Sequence, residues 1–287
     1  MKLAIGTVQF GMRYGVANSS GRVGIAEVQR ILTAARSIGV DTLDTAAAYG
    51  SSEEVLGHVG NEGFKVVSKL PPREAQNCTV SAWVTASVES SLTKLNQKSL
   101  YGFLLHRPLE LLSAEGAEIY ETLKDLKNQG LIQKLGVSVS GPEDLEKLSP
   151  YYKFDLVQAP MNLVDQRMLE SGWLRQLKRQ CTEVHIRSAF LQGLLLMPAQ
   201  DRPSYFERWS DLFDRFDNWL KAEKLTALEA CLGFLNQQED VDKIVVGVDT
   251  MDQLISIADV ADTNISGIPV ALQSADTALI NPALWTS

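Results

Sequence analysis

The 287-residue chain predicts one domain over residues 1–287, an α/β fold of the (β/α)8 TIM-barrel type with an extra C-terminal segment. Eight short runs of β-branched and apolar residues are too uniformly hydrophobic for a sheet with one wet face, which marks strands covered on both sides. Amphipathic stretches of helical period separate them, so strand and helix alternate along the chain. No Pro/Ser tract, low-complexity stretch or repeat of fixed period marks a linker, and 45% apolar residues can fill one large core. A doubly wound open sheet is the alternative. That fold usually opens with G-x-G-x-x-G, whereas the first turn here reads Gly6-Thr-Val-Gln-Phe-Gly.

In chain order, the strand-like runs fall at residues 3–8, 40–44, 65–69, 101–106, 134–138, 154–159, 184–188 and 243–247. The helix predicted over 26–37 carries Val28, Ile31, Leu32 and Ala35 on one face and is closed by Gly39. Ser51-Ser-Glu-Glu opens another. Segments 81–95 and 114–129 repeat the pattern, the second ending before Gly130. The remaining helices are predicted over 143–148, 166–179, 203–223, 226–237 and 251–262. Residues 194–207 make a long connector after the seventh strand, read equally as plain linker or as a loop over a bound ligand.

A net charge of -8 disfavours nucleic acid as a partner, because a basic patch supplies most of that affinity. Cys78, Cys181 and Cys231 are few, odd in number and far apart, giving no disulfide or metal signature and fitting a reducing, cytoplasmic compartment. The opening Met1-Lys-Leu-Ala-Ile-Gly lacks the apolar core of a signal peptide, and no run approaches a membrane span. The sequence is silent on oligomeric state.

Four polar residues stand where a barrel builds its active site, at the C-terminal ends of successive strands. Asp44 ends the second run, Tyr49 lies in the loop that follows, Lys69 ends the third run and His106 the fourth. Adjacent strands lie about 4.8 Å apart, so these side chains can meet over one mouth. A carbonyl that accepts hydride develops negative charge on oxygen, and a proton donor beside a cation stabilises that charge. Tyr49 suits the donor. Its free phenol has a pKa of about 10, which Lys69 is expected to lower, while Asp44 holds the Lys69 ammonium. His106 is placed to orient the carbonyl. An Asp–Lys pair alone is more often structural, and it is the register with Tyr49 and His106 that makes this one functional. His58 and His185 read as surface or packing histidines. Trp173, Trp209, Phe213, Phe216 and Trp219 read as core stripes.

These four residues, with Gly6-Thr-Val-Gln-Phe-Gly, Asp44-Thr-Ala-Ala-Ala-Tyr-Gly-Ser-Ser-Glu-Glu-Val-Leu-Gly, Gly136-Val-Ser, Val157-Gln158, Arg187-Ser-Ala-Phe-Leu-Gln-Gly-Leu-Leu and Val246-Gly247, form an ordered set. The set resembles the aldo-keto reductase family over nearly the whole chain, in a bacterial subgroup often associated with sugar pathways. The resemblance implies NADP- or NAD-dependent reduction of aldehyde, ketone or sugar carbonyls to alcohols, with a small-molecule partner. A cofactor-binding regulatory or sensor protein with slow turnover is the alternative, because fold does not fix function.

For the cofactor, the resemblance implies Gly6 and Thr7 near the nicotinamide ribose, and Ser138 and Gln158 on the carboxamide. Val139 stands where the family often has Asn. Arg187 stands where many members stack a Tyr on the ring. Ser188, Phe190, Gln192 and Gly193 would wrap the pyrophosphate. In the loop after the eighth strand, Gly247 and Gln253 occupy positions where a basic residue often grips a 2'-phosphate, and Asp249 and Asp252 add negative charge. NADH is therefore expected to be usable, unless Arg202 or Lys243 supplies a cation. Many members also plug the barrel floor with a β-hairpin before the first strand. This chain begins almost at that strand, so its floor is expected to be covered otherwise. Trp285, on the terminal tail, is expected to give the substrate pocket an aromatic wall.

Overall fold

A computed structural model of the chain describes residues 2–18, 20–73, 78–261, 263 and 265–285. Eight parallel strands pair in chain order and close on themselves: β1 (Leu3–Gly6), β2 (Thr42–Asp44), β3 (Lys65–Leu70), β4 (Leu100–Leu105), β5 (Ile132–Ser138), β6 (Leu156–Pro160), β7 (Glu183–Arg187) and β8 (Lys243–Gly247). The closing register sets Gly6 of β1 against Gly247 of β8. This is the predicted (β/α)8 barrel, and every strand overlaps its expected run. The first strand stops early because α1 (Val8–Gly11) coils directly after it.

The connecting helices are α2 (Ile25–Ser37), α3 (Ser52–Val59), α4 (Val80–Leu95), α5 (Gly116–Asn128) and α6 (Pro142–Leu148). Thr79 caps α4 by accepting from the Ala82 N–H. The helix expected over 166–179 is two pieces, α7 (Arg167–Glu170) and α8 (Trp173–Arg179). Gly172 between them has φ 78°, a left-handed conformation that ends a helix, and periodicity alone does not show it. The segment expected as one helix over 203–223 begins as a 3-10 stretch, Ser204–Trp209, before α9 (Ser210–Glu223). Then follow α10 (Ala227–Asn236), opened by a capping box of Thr226 and Glu229, and α11 (Met251–Asp259). The last expected residue of that helix, Asp262, lies outside the described residues. A final α12 (Thr277–Ile280) belongs to the C-terminal segment.

Strand residues alternate between the barrel interior and the helix layer. Outward residues such as Leu43, Phe103, Val137 and Ile186 join the helices in one continuous core, which also holds Trp173, Phe213, Phe216 and Trp219. Inside, Val67, Leu104 and Leu156 form a small apolar plug on which Tyr101 packs. Trp285 is not among the residues that line the cavity at Tyr49. Its ring meets Phe206 edge-on at 4.8 Å and its indole N–H donates to the Leu279 carbonyl at 3.0 Å, so it fastens the tail to the outside of the barrel. Among the described residues, no helix is long and apolar enough to cross a membrane.

Charged side chains cover the floor. Glu183 accepts from Tyr101 at 2.7 Å, is 2.6 Å from the fully buried His185, and pairs with Lys134. Asp41 joins Lys65 at 3.0 Å and also Lys243. Burial alone would raise the Glu183 carboxyl. The hydrogen bonds from His185, Lys134 and Tyr101 outweigh it and hold the group well below its ordinary 4.5. A depressed carboxylate contributes stability above pH 4.5 that is lost as pH falls through the folded value. Glu183→Gln is accordingly expected to lower the unfolding free energy by about 2–3 kcal/mol at pH 7, because Lys134 loses its counter-charge while keeping some solvent contact. The deficit should shrink in acid. Urea unfolding at two pH values checks both points, and equal stability at pH 7 would show that the floor network contributes little.

Candidate active site

The loop carrying Tyr49 is fastened to the first strand by a buried polar knot. Thr7 donates its hydroxyl to the Asp44 carbonyl at 3.0 Å, and Ser52 donates its own to the Thr7 carbonyl at 2.8 Å. The Ser52 N–H reaches the Tyr49 carbonyl at 3.1 Å. Gly11 makes this approach possible: a Cβ there would lie 1.8 Å from the Tyr49 carbonyl oxygen. Glu53, at the start of α3, accepts from Ser68 of β3 at 2.6 Å, tying the same loop to a second strand.

Within this frame the four expected side chains converge. Lys69 is fully buried, yet its ammonium has three acceptors for its three N–H bonds: Asp44 Oδ2 at 2.7 Å, the Thr45 carbonyl at 2.8 Å and Tyr49 Oη at 3.3 Å. Gln158 donates to the other Asp44 oxygen at 2.6 Å and accepts from Ser138 at 3.3 Å. The Tyr49 and His106 rings stand edge to face, 5.9 Å apart.

The electrostatics differ from the expectation in one respect. Burial raises the Tyr49 phenol above its ordinary value, and the attraction of Lys69 offsets only part of that rise, so the net shift is upward and not downward. The phenol is therefore protonated at neutral pH. Burial disfavours the Lys69 charge, but Asp44 and Tyr49 outweigh it and hold the ammonium above 10.5. His106 is pushed down from 6.5 to about 4, first by burial and then by Lys69. It is neutral near pH 7 and has one N–H to give a substrate oxygen.

A cavity of about 850 Å³ opens from Tyr49 and Asp44 toward the N-terminus of α11. Every expected cofactor residue except Ser138 lines it: Gly6, Thr7, Gln158, Arg187, Ser188, Phe190, Gln192, Gly193, Gly247, Asp249 and Gln253. Gly6 and Gly247 are partners in the β1–β8 register, and the Gln9 amide packs into the space that a side chain on Gly247 would take. Beside them the buried Gln9 Oε1 has no hydrogen-bond partner among the described residues, an acceptor suited to a ligand hydroxyl. Ser188, Leu191, Gln192 and Gly193 all have positive φ, curling the segment after β7 around the opening. Size and orphaned acceptor fit an extended dinucleotide.

The sequence profile of the Aldo/keto reductase family matches residues 2–268. The chain belongs to that family. An uncharacterized oxidoreductase of Bacillus subtilis, YqkF, is 24% identical over 244 residues, 78% of either chain. A putative aldo-keto reductase from Pseudomonas aeruginosa is 26% identical with a TM-score of 0.67, over 91% of this chain and 89% of that one. The holo form of an aldo-keto reductase from Bacillus halodurans superposes with a TM-score of 0.75 at 19% identity, over 92% and 88% of the two chains, a likeness of fold. Membership makes this chain an oxidoreductase of the carbonyl-reducing type.

In this aldo-keto reductase the wall of the cavity includes residues that sequence reasoning passed over. Gln9, Tyr14 and Asn18 come from the connection after β1. Gln192 donates to Tyr14 Oη at 3.1 Å and Asn18 donates to Asp249 at 3.1 Å, so this connection bridges the loops after β7 and β8. No local spacing announces such a strap, because its partners lie far away in sequence. The connector 194–207 is more than a linker: Leu196, Met197, Pro198 and Asp201 line the cavity. Arg202 is turned away, paired to Asp217 at 2.6 Å and 2.9 Å, and Lys243 joins Asp41 at the floor. Neither stands at the cavity as the source of a cation. Among the described residues, no group of His, Cys, Asp and Glu could hold a metal ion.

Proposed function

We propose that this oxidoreductase reduces aldehyde, ketone or open-chain sugar carbonyls with NADH or NADPH, using Tyr49 as the acid. The observation that carries the reading is the fully satisfied Lys69. One of its N–H bonds goes to the Tyr49 oxygen, which leaves the phenolic proton free for a substrate oxygen. Held by the cavity residues, a reduced nicotinamide would supply a hydride to the carbonyl carbon. The carbonyl π pair moves to oxygen, which takes the Tyr49 proton, and solvent restores the phenol. His106 donates to the same oxygen and fixes its direction, while Gln158, which lines the cavity and accepts from Ser138, would orient the carboxamide. Gln158 also holds Asp44 still, linking ring position to proton supply.

A panel of aldoses, aryl aldehydes and short ketones, run with both reduced cofactors, tests the reading. Consumption of reduced cofactor with equimolar alcohol supports it. Tight cofactor binding with no turnover on any carbonyl would favour a sensor role.

The same assay gives the cofactor preference. At the α11 end the cavity wall carries Asp249, Asp252, Gln253 and Ser256 and no Lys or Arg among its described residues. A 2'-phosphate carries close to two negative charges and normally wants Arg or Lys. NADH is expected to bind within about tenfold of NADPH, or more tightly. A hundredfold preference for NADPH, about 2.7 kcal/mol, would contradict this.

A further inference from the structure

Arg187 is the cation of the cavity that has no counter-ion. It ends β7 and lines the same wall as Asp44, Tyr49 and Gln158. Its guanidinium donates to the Val139 carbonyl at 2.9 Å and to the Ser188 hydroxyl at 3.3 Å, both neutral, and no carboxylate lies within ion-pair distance among the described residues. Lys69, by contrast, is matched by Asp44 at 2.7 Å. A half-buried guanidinium is a costly group to leave unmatched, and here it is held by the β5 end, beside Ser138, rather than swung into solvent. Its charge is felt across the mouth, since it helps keep His106 neutral.

We propose that Arg187 selects the redox state of the cofactor: its uncompensated charge, held against the ring site, favours the neutral reduced nicotinamide over the cationic oxidised one. The inference rests on the reading that a nicotinamide reacts at Tyr49 and His106. Gln158 and Arg187 line the same cavity as Tyr49, so a ring close enough to pass hydride to a carbonyl held at Tyr49 would have them as neighbours. Reduced nicotinamide is uncharged, and its π face suits a planar guanidinium. The oxidised ring is a pyridinium. Two like charges a few ångströms apart in a partly water-excluded site repel strongly. Oxidation of the ring would create that repulsion, so the spent cofactor would be held weakly and would leave readily once the alcohol has formed.

Equilibrium titration of intrinsic fluorescence with NADH and NAD⁺, and with NADPH and NADP⁺, tests this without turnover. The wild-type protein is expected to bind the reduced form at least about tenfold more tightly. Arg187→Met, which keeps the length and removes the charge, should narrow that ratio about tenfold, mainly by tightening the oxidised form. Tenfold in this ratio is about 30 mV in the bound two-electron couple. Arg187→Lys should keep most of the preference. An unchanged ratio in Arg187→Met, with reduced cofactor still bound, would overturn the role of Arg187 and leave the cofactor reading standing. Failure of the wild-type protein to bind either form would overturn both.

Discussion

Tyr49→Phe is expected to lower kcat by about 10²–10⁴-fold, the range that a positioned general acid contributes, while cofactor binding changes little. The substitution removes one oxygen. Lys69 loses the acceptor at 3.3 Å but keeps Asp44 and the Thr45 carbonyl, so the buried ammonium stays largely satisfied. The ring and its edge-on contact with His106 are preserved. Loss of activity with intact cofactor titration would thus report on the proton. Turnover in Tyr49→Phe as fast as in wild type would remove Tyr49 from the mechanism.

Lys69→Met is expected to act through the acidity of Tyr49 and to cost about 100-fold or more in kcat. Burial already raises the phenol, and Lys69 is the neighbour that pulls it back. Without the ammonium the phenol becomes a weaker acid. The reaction needs Tyr49 protonated, so activity declines as pH rises through its pKa, and the basic limb of the pH–rate profile should move to higher pH in the variant. Asp44→Asn should cost less, because the ammonium remains. Lys69→Met also leaves Asp44 buried beside Gln158 without its cation, a loss of about 3–5 kcal/mol in folding. Thermal unfolding with and without cofactor therefore has to accompany the kinetics. An unmoved basic limb in a folded Lys69→Met protein would refute the role given to Lys69.

The upward shift of Tyr49 shows where reading the sequence reached its limit. Lys69 beside Tyr49 correctly gave the sign of one interaction. Desolvation, the larger effect, depends on how completely the mouth is covered, and coverage is a property of packing. The same holds for Arg202. Its position in the connector near the cavity was legible, but its direction was settled by Asp217 and the Phe213 ring in α9, 4.7 Å away. Trp285 was legible as a tail aromatic, and its docking on Phe206 was not.

The sequence by itself determined the alternation of strands and helices, and with it the barrel and the placement of Asp44, Lys69 and His106 on one rim. Those follow from local periodicity and from the rule that strand ends carry the loops of the active face. Tertiary structure decided which groups are paired and which are left over. Lys69 is saturated, Gln9 Oε1 and the Arg187 charge are unmatched, and the segment after β1 bridges to Gln192 and Asp249. Hydrogen bonds and ion pairs act over a few ångströms between residues up to 236 positions apart, so only closure of the barrel brings them within reach.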